Sequence, residues 1–202
     1  MKLQFTFAFF AIALVGSWIA STATAEDPKG TSIELADGKL MLQMPKEWKK
    51  ETPKSRIVQY EFSAPVASKE EDSKDAGKPK DKAELARITI MGAGGSVKDN
   101  IERWYGQFED AAKVKEAGKV EEFAAGGHTV HFVNLAGTFK DTAGAGPFSG
   151  AKPVLREDYR MLGGIIVTKD LGQYFIKITG PAKTVEALED GFKTMLKELK
   201  SK

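Results

Sequence analysis

The residues Gly92-Ala93-Gly94-Gly95-Ser96 lie between an alternating apolar segment and a helical pattern. A glycine-rich turn at a helix start leaves free N–H groups pointing outward, where an anion or a carbonyl oxygen can be held. The turn lacks the third glycine of Gly-x-Gly-x-x-Gly, because Val97 stands there, and it lacks the Gly-Lys-Ser/Thr ending of a P-loop. The plainer reading is a tight strand-to-helix turn that needs positive φ. Ser96, Asn100, Arg103 and Gln107 continue from the turn at spacings of four, three and four, which aligns them as one polar stripe on a helix. The stripe mixes donors without a matching acid. Gly94, Gly95, Ser96, Asn100, Arg103 and Gln107 therefore form the candidate surface for a ligand or partner. If the stripe exists for binding, truncating Asn100 or Arg103 should leave folding nearly intact.

Other chemistries find less to work with. The two histidines, His128 and His131, stand three apart in a strand pattern, so their side chains point to opposite faces and cannot share one metal ion. The chain has no cysteine, which removes thiol catalysis, iron–sulfur clusters and cysteine zinc sites. No Gly-x-Ser-x-Gly elbow occurs; in Gly146-Pro147-Phe148-Ser149-Gly150 the serine is one place off. Paired carboxylates such as Glu70-Glu71-Asp72 lie in charged stretches, where no apolar pocket could shift one of them. No calcium loop of spaced Asp and Asn residues is present. Neither a catalytic residue, a metal site nor a cofactor is expected.

The elements that would position the stripe can be read from periodicity. Residues 31–35 and 39–44 alternate polar and apolar around Ala36-Asp37-Gly38, which predicts a β-hairpin. Further strands are predicted over 57–62, 85–91, 120–123, 128–139, 159–167 and 174–179, the last two joined through Lys169-Asp170-Leu171-Gly172. Ser96 and Asp99 form a relative of the capping box, and Val97, Ile101, Trp104, Tyr105 and Phe108 recur at helical spacing as one apolar face. A C-terminal helix running to about residue 199 carries the stripe Val185, Leu188, Phe192, Met195 and Leu199, with Gly191 marking expected close packing. Residues 68–82 hold nothing that could pack, so they read as a solvated charged loop; residues 140–152 read as a Gly/Pro-rich loop. The fold class is α+β: a largely antiparallel sheet of about six to seven strands packed by helices.

The N-terminus opens with Lys2, continues in an apolar run from Phe5 to Ala20, and reaches small residues at Ala23 and Ala25. That pattern predicts a secretory signal over residues 1–25, cut before Glu26. The run is shorter than a membrane span and is followed by Glu26-Asp27 rather than a basic stop, so no stable membrane insertion is expected after cleavage. Residues 26–202 are then one α+β domain whose stability rests on packing, because no disulfide is possible. With 30 basic and 28 acidic residues the chain is near neutral, and nothing steers it to nucleic acid.

The pattern Gly94-Gly95-Ser96-x-x-x-Asn100-x-x-Arg103-Trp104-x-x-Gln107-Phe108, with Tyr159-Arg160-Met161-Leu162-Gly163 and Thr179-Gly180-Pro181, resembles an uncharacterised family of exported bacterial proteins. The resemblance runs from about Leu42 to Leu199 and carries no assigned chemistry. The order of elements is similar to the PsbP-like fold, an antiparallel sheet between helix layers used by non-enzymatic binders and assembly helpers. It implies a periplasmic or secreted accessory protein that binds an envelope protein or small ligand without catalysis. The competing reading is a small hydrolase using the Gly92–Ser96 turn as an oxyanion or phosphate site. It needs a nucleophile–base pair that two histidines on opposite faces make hard to build.

Overall fold

The computed structural model describes residues 30–65, 85–142 and 152–202. The predicted signal (1–25), the charged loop (68–82) and most of the loop at 140–152 lie outside the described residues.

The predicted hairpin forms as β1 (Ser32–Leu35) and β2 (Leu40–Gln43). Its turn places Ala36, Asp37 and Gly38 at φ of 52°, 52° and 81°, backbone that Asp and Gly tolerate. The hairpin does not join the main sheet. It pairs with β10 (Lys200–Ser201) in a three-stranded sheet ordered β1-β2-β10. The seven-stranded sheet consists of β3 (Lys49–Glu51), β4 (Tyr60–Ala64), β5 (Ala86–Ala93), β6 (Lys119–Ala125), β7 (His128–Asp141), β8 (Val154–Val167) and β9 (Gln173–Pro181), in the order β3-β4-β5-β9-β8-β7-β6. Every pairing among the described residues is antiparallel, so the α+β class with an antiparallel sheet is the observed architecture.

Strand alternation gives the large sheet two apolar faces. Phe132, Leu162, Ile166, Ile176 and Ile178 look toward the small sheet and the C-terminal helices, where Leu40, Leu42, Trp48, Phe192 and Leu196 meet them. Val133, Leu135, Met161 and Ile165 look the other way and are covered by α1 (Val97–Tyr105) and α2 (Ala111–Ala117) through Ile101, Trp104, Tyr105 and Val114. The apolar face read for the first helix is this contact, with Phe108 completing it just beyond the helix.

Several boundaries differ from the sequence reading. The strand predicted from Ile57 begins at Tyr60, and Ile57 is exposed. Gly92 and Ala93 belong to β5, paired with Tyr174 and Gln173, so the turn itself is only Gly94-Gly95. The C-terminal helix is two helices, α3 (Ala182–Ala187) and α4 (Glu189–Lys197). At Leu188 the N–H bonds back to the Val185 carbonyl at 3.1 Å, a tightened turn that breaks the regular ladder. The break lets α3 pack on β8 and β9 while α4 reaches β2 and β6. Gly191 has no atom near its would-be Cβ, so the close packing expected there is absent.

Candidate functional site

Ser96 caps α1. Its Oγ accepts from the Asp99 N–H at 3.0 Å and its hydroxyl donates to Asp99 Oδ2 at 2.7 Å; the cap the spacing foretold is present, with the Asp99 carboxylate meeting the hydroxyl rather than the Ser96 backbone N–H of a full capping box. Gly95, at φ +88°, supplies the left-handed step that lets the chain leave β5 and enter the helix.

Asn100 is the one buried member of the stripe, at 2% exposure. Its Nδ2 donates to the carbonyls of Gly94 at 3.0 Å and Ser96 at 2.9 Å, and its Oδ1 accepts from Arg103 Nη1 at 2.8 Å. The side chain thus ties the turn to the helix and holds the guanidinium. The expectation that Asn100 could be truncated at no cost to folding does not fit this geometry. Asn100→Ala should lose about 1–3 kcal/mol, the cost of removing one partner from buried hydrogen bonds; chemical denaturation of the variant checks it. Arg103, by contrast, is exposed, and no carboxylate pairs with it among the described residues.

Two residues of β9 extend the site. Gln173 Nε2 donates to the Gly95 carbonyl at 3.1 Å, while its Oε1 is buried without a partner among the described atoms. Four residues on, Lys177 Nζ donates to Gln107 Oε1 at 3.0 Å. Helix α1 therefore runs along β9, with the glycine turn at Gln173, Trp104 edge-on to Phe175 at 5.4 Å, and Gln107 at Lys177. The structure brings Gly94, Gly95, Ser96, Asn100 and Arg103 into one bonded cluster; Gln107 stands apart at the far end with Lys177.

Burial, reinforced by the positive charge of Arg87, pushes the Lys177 ammonium down to about 8 from its ordinary 10.5. Arg87 itself grips Glu61 through Nε at 2.8 Å and Nη2 at 3.0 Å, and the Lys54 N–H donates to the same carboxylate at 3.0 Å. The Arg87 hydrogen bonds first, then that backbone N–H, hold the Glu61 carboxyl below its ordinary 4.5 against the opposing effect of burial. A depressed carboxylate stabilises the fold above its unfolded value and loses that contribution as pH falls through its folded value. Denaturation midpoints measured between neutral pH and pH 3 should therefore fall below about 4.5 in the wild type. Glu61→Gln should be less stable at neutral pH and lack that segment of the decline.

Gln173, Lys177 and Arg87 were not singled out from sequence. The available signal was parity: Gln173, Phe175 and Lys177 share a face of β9, so a lysine follows an aromatic residue onto a face covered by a helix. The histidines stand elsewhere. His131 meets Glu122 at 3.4 Å on the neighbouring strand, and the register His131–Ile165–Phe175–Met91 separates it from β5 by three strand spacings, about 14 Å. No group of three or more His, Asp or Glu that could hold a metal ion occurs among the described residues. Of the clefts formed by described residues, one of about 580 Å³ lies at Met41, Leu42 and Lys200, and one of about 260 Å³ under α2 at Val114 and Gly137; neither is at the glycine turn. No described helix is long and apolar enough to cross a membrane.

No protein-family model and no curated protein sequence matches the chain. Among solved structures, it is similar to cyanobacterial PsbP (CyanoP) from Synechocystis sp. PCC 6803, with 9% identity, 91% of this chain and 99% of that chain covered, and a TM-score of 0.49. It is also similar to LpqN of Mycobacterium tuberculosis, a protein involved in cell envelope biogenesis, with 10% identity, 84% and 88% coverage, and a TM-score of 0.45.

Proposed function

We propose that the chain is an exported, non-catalytic accessory protein, and that the stripe running from Gly94, Gly95, Ser96, Asn100 and Arg103 at the glycine turn to Gln107 at its far end is where it meets an envelope partner or small ligand. The observation that carries the reading is Arg103: an exposed guanidinium fixed by Asn100 and paired with no described carboxylate. A pre-oriented fork of donors suits recognition, because little freedom is lost when it binds. The hydrolase reading draws no comparable support. The Ser96 hydroxyl is committed to the helix cap, and neither histidine stands where it could activate that hydroxyl.

The mature form is taken to begin at Glu26, after export by the signal over residues 1–25. Immobilised protein of residues 26–202 should capture a component from the envelope fraction of its own organism. Arg103→Ala should lose most of that capture while unfolding within about 0.5 kcal/mol of the wild type, as an exposed substitution does. Equal capture by the two proteins would remove Arg103, and with it the stripe, from the binding role.

A further inference from the structure

Lys177 is a cation half sunk in the sheet face beside α1, and the groups around it are unusual. Among the described residues its one hydrogen bond goes to Gln107 Oε1, which leaves two of its three N–H donors without a described partner. In register, Thr89 of β5 lies directly opposite on one side and Gly163 of β8 on the other, so neither strand neighbour supplies a charge. The charged groups beyond are Arg87 on β5, close enough to repel it, and Glu61 on β4. Glu61 is already held by Nε and Nη2 of Arg87 and by the Lys54 N–H. A desolvated ammonium with a cationic neighbour and no acid of its own among the described residues costs stability, and a methionine would fill the space without that cost.

We infer that Lys177, together with the Gln107 amide and the Thr89 hydroxyl, takes a single carboxylate group of the ligand at the far end of the stripe. The inference rests on the reading of that stripe as a binding surface and names the chemistry it accepts. The ammonium, the Arg87 guanidinium and the Glu61 carboxylate together leave one positive charge, which suits a monoanion better than a phosphate dianion. The place is reached from the Arg87 side, where that side chain is 37% exposed. A bound carboxylate would replace the missing counter-charge and favour the protonated amine, so the ammonium, held near 8 in the free protein, would move back up toward its ordinary range.

The test follows the ε-methylene NMR signal of Lys177 in 13C-labelled protein, assigned by its loss in Lys177→Met, during titration with sodium acetate at constant ionic strength and pH 7. Sodium chloride and inorganic phosphate serve as comparison anions. Acetate should give a saturable shift and an upward move of the Lys177 titration. Its affinity, read at the Gln107 amide, should fall roughly tenfold in Lys177→Met and recover in Lys177→Arg, which keeps the charge. A shift that does not saturate, phosphate or chloride as effective as acetate, or unchanged acetate affinity in Lys177→Met would each overturn the inference. Capture from the envelope fraction separates the sources. Loss with Lys177→Met puts the carboxylate on the captured protein, and unchanged capture puts it on a free small molecule. If Arg103→Ala abolishes capture while acetate fails at Lys177, only the carboxylate assignment falls. If acetate binds and Arg103→Ala captures normally, only the role of the stripe falls.

Discussion

Trp104→Ala should destabilise the protein by about 3–5 kcal/mol, the usual cost of emptying a core aromatic site. The indole is 5% exposed and meets the Phe175 ring edge-on at 5.4 Å. Its six-membered ring also comes close against the backbone of β8: a Cβ added to Gly163 would sit 2.1 Å from Trp104 Cζ3. Glycine at 163 is therefore what allows the helix to approach the sheet. Gly163→Ala should itself cost about 1–3 kcal/mol by overpacking, and most of that cost should vanish in the Trp104→Ala background, where the clash is gone. Urea denaturation of the two single variants and the double variant gives the coupling directly. Additive losses would mean that Trp104 does not occupy this place.

On the opposite face of the sheet, Phe192→Ala should cost a similar 3–5 kcal/mol. Phe192 is fully buried, with its ring 6.0 Å from Phe132 of the large sheet and 6.5 Å from Trp48. Together with Leu196 it holds α4 against the large sheet, so its loss loosens that helix and, through β10, the small sheet. Thermal and urea unfolding should remain a single transition at lower midpoint. A loss below 1 kcal/mol would show that the α4 contact is not part of the core.

The parts of the fold legible in the sequence are those where one period dominates. β9 alternates over its whole length, β7 and β8 carry long apolar, β-branched runs, and α1 announces itself with both a cap at Ser96 and an apolar face from Val97 to Tyr105. The elements missed are short. α2 has seven residues and buries only Val114, too little for a helical period to register, although Asp110 as its cap and Gly118 as its stop were present. β10 has two residues, defined by pairing with β2 from the other end of the chain, and no local pattern encodes such a contact. The split at Leu188 escaped notice because the apolar stripe continues across it.

The stripe was legible as a spacing but not as a division of labour. Sequence placed Asn100 and Arg103 side by side on one polar flank. The structure buries the first against the carbonyls of Gly94 and Ser96 and leaves the second exposed. Lys177 escaped because a lysine in a strand reads as solvent-facing unless its face is known to be covered.

The most direct test of the binding account is the dissociation constant of the purified captured partner for the wild type, Arg103→Ala and Lys46→Ala, the last an exposed lysine away from the stripe whose side chain is 71% accessible. The account predicts a loss of about tenfold or more for Arg103→Ala, as for a guanidinium at the centre of an interface, and none for Lys46→Ala. Equal affinities for all three proteins, with melting temperatures unchanged, would contradict it.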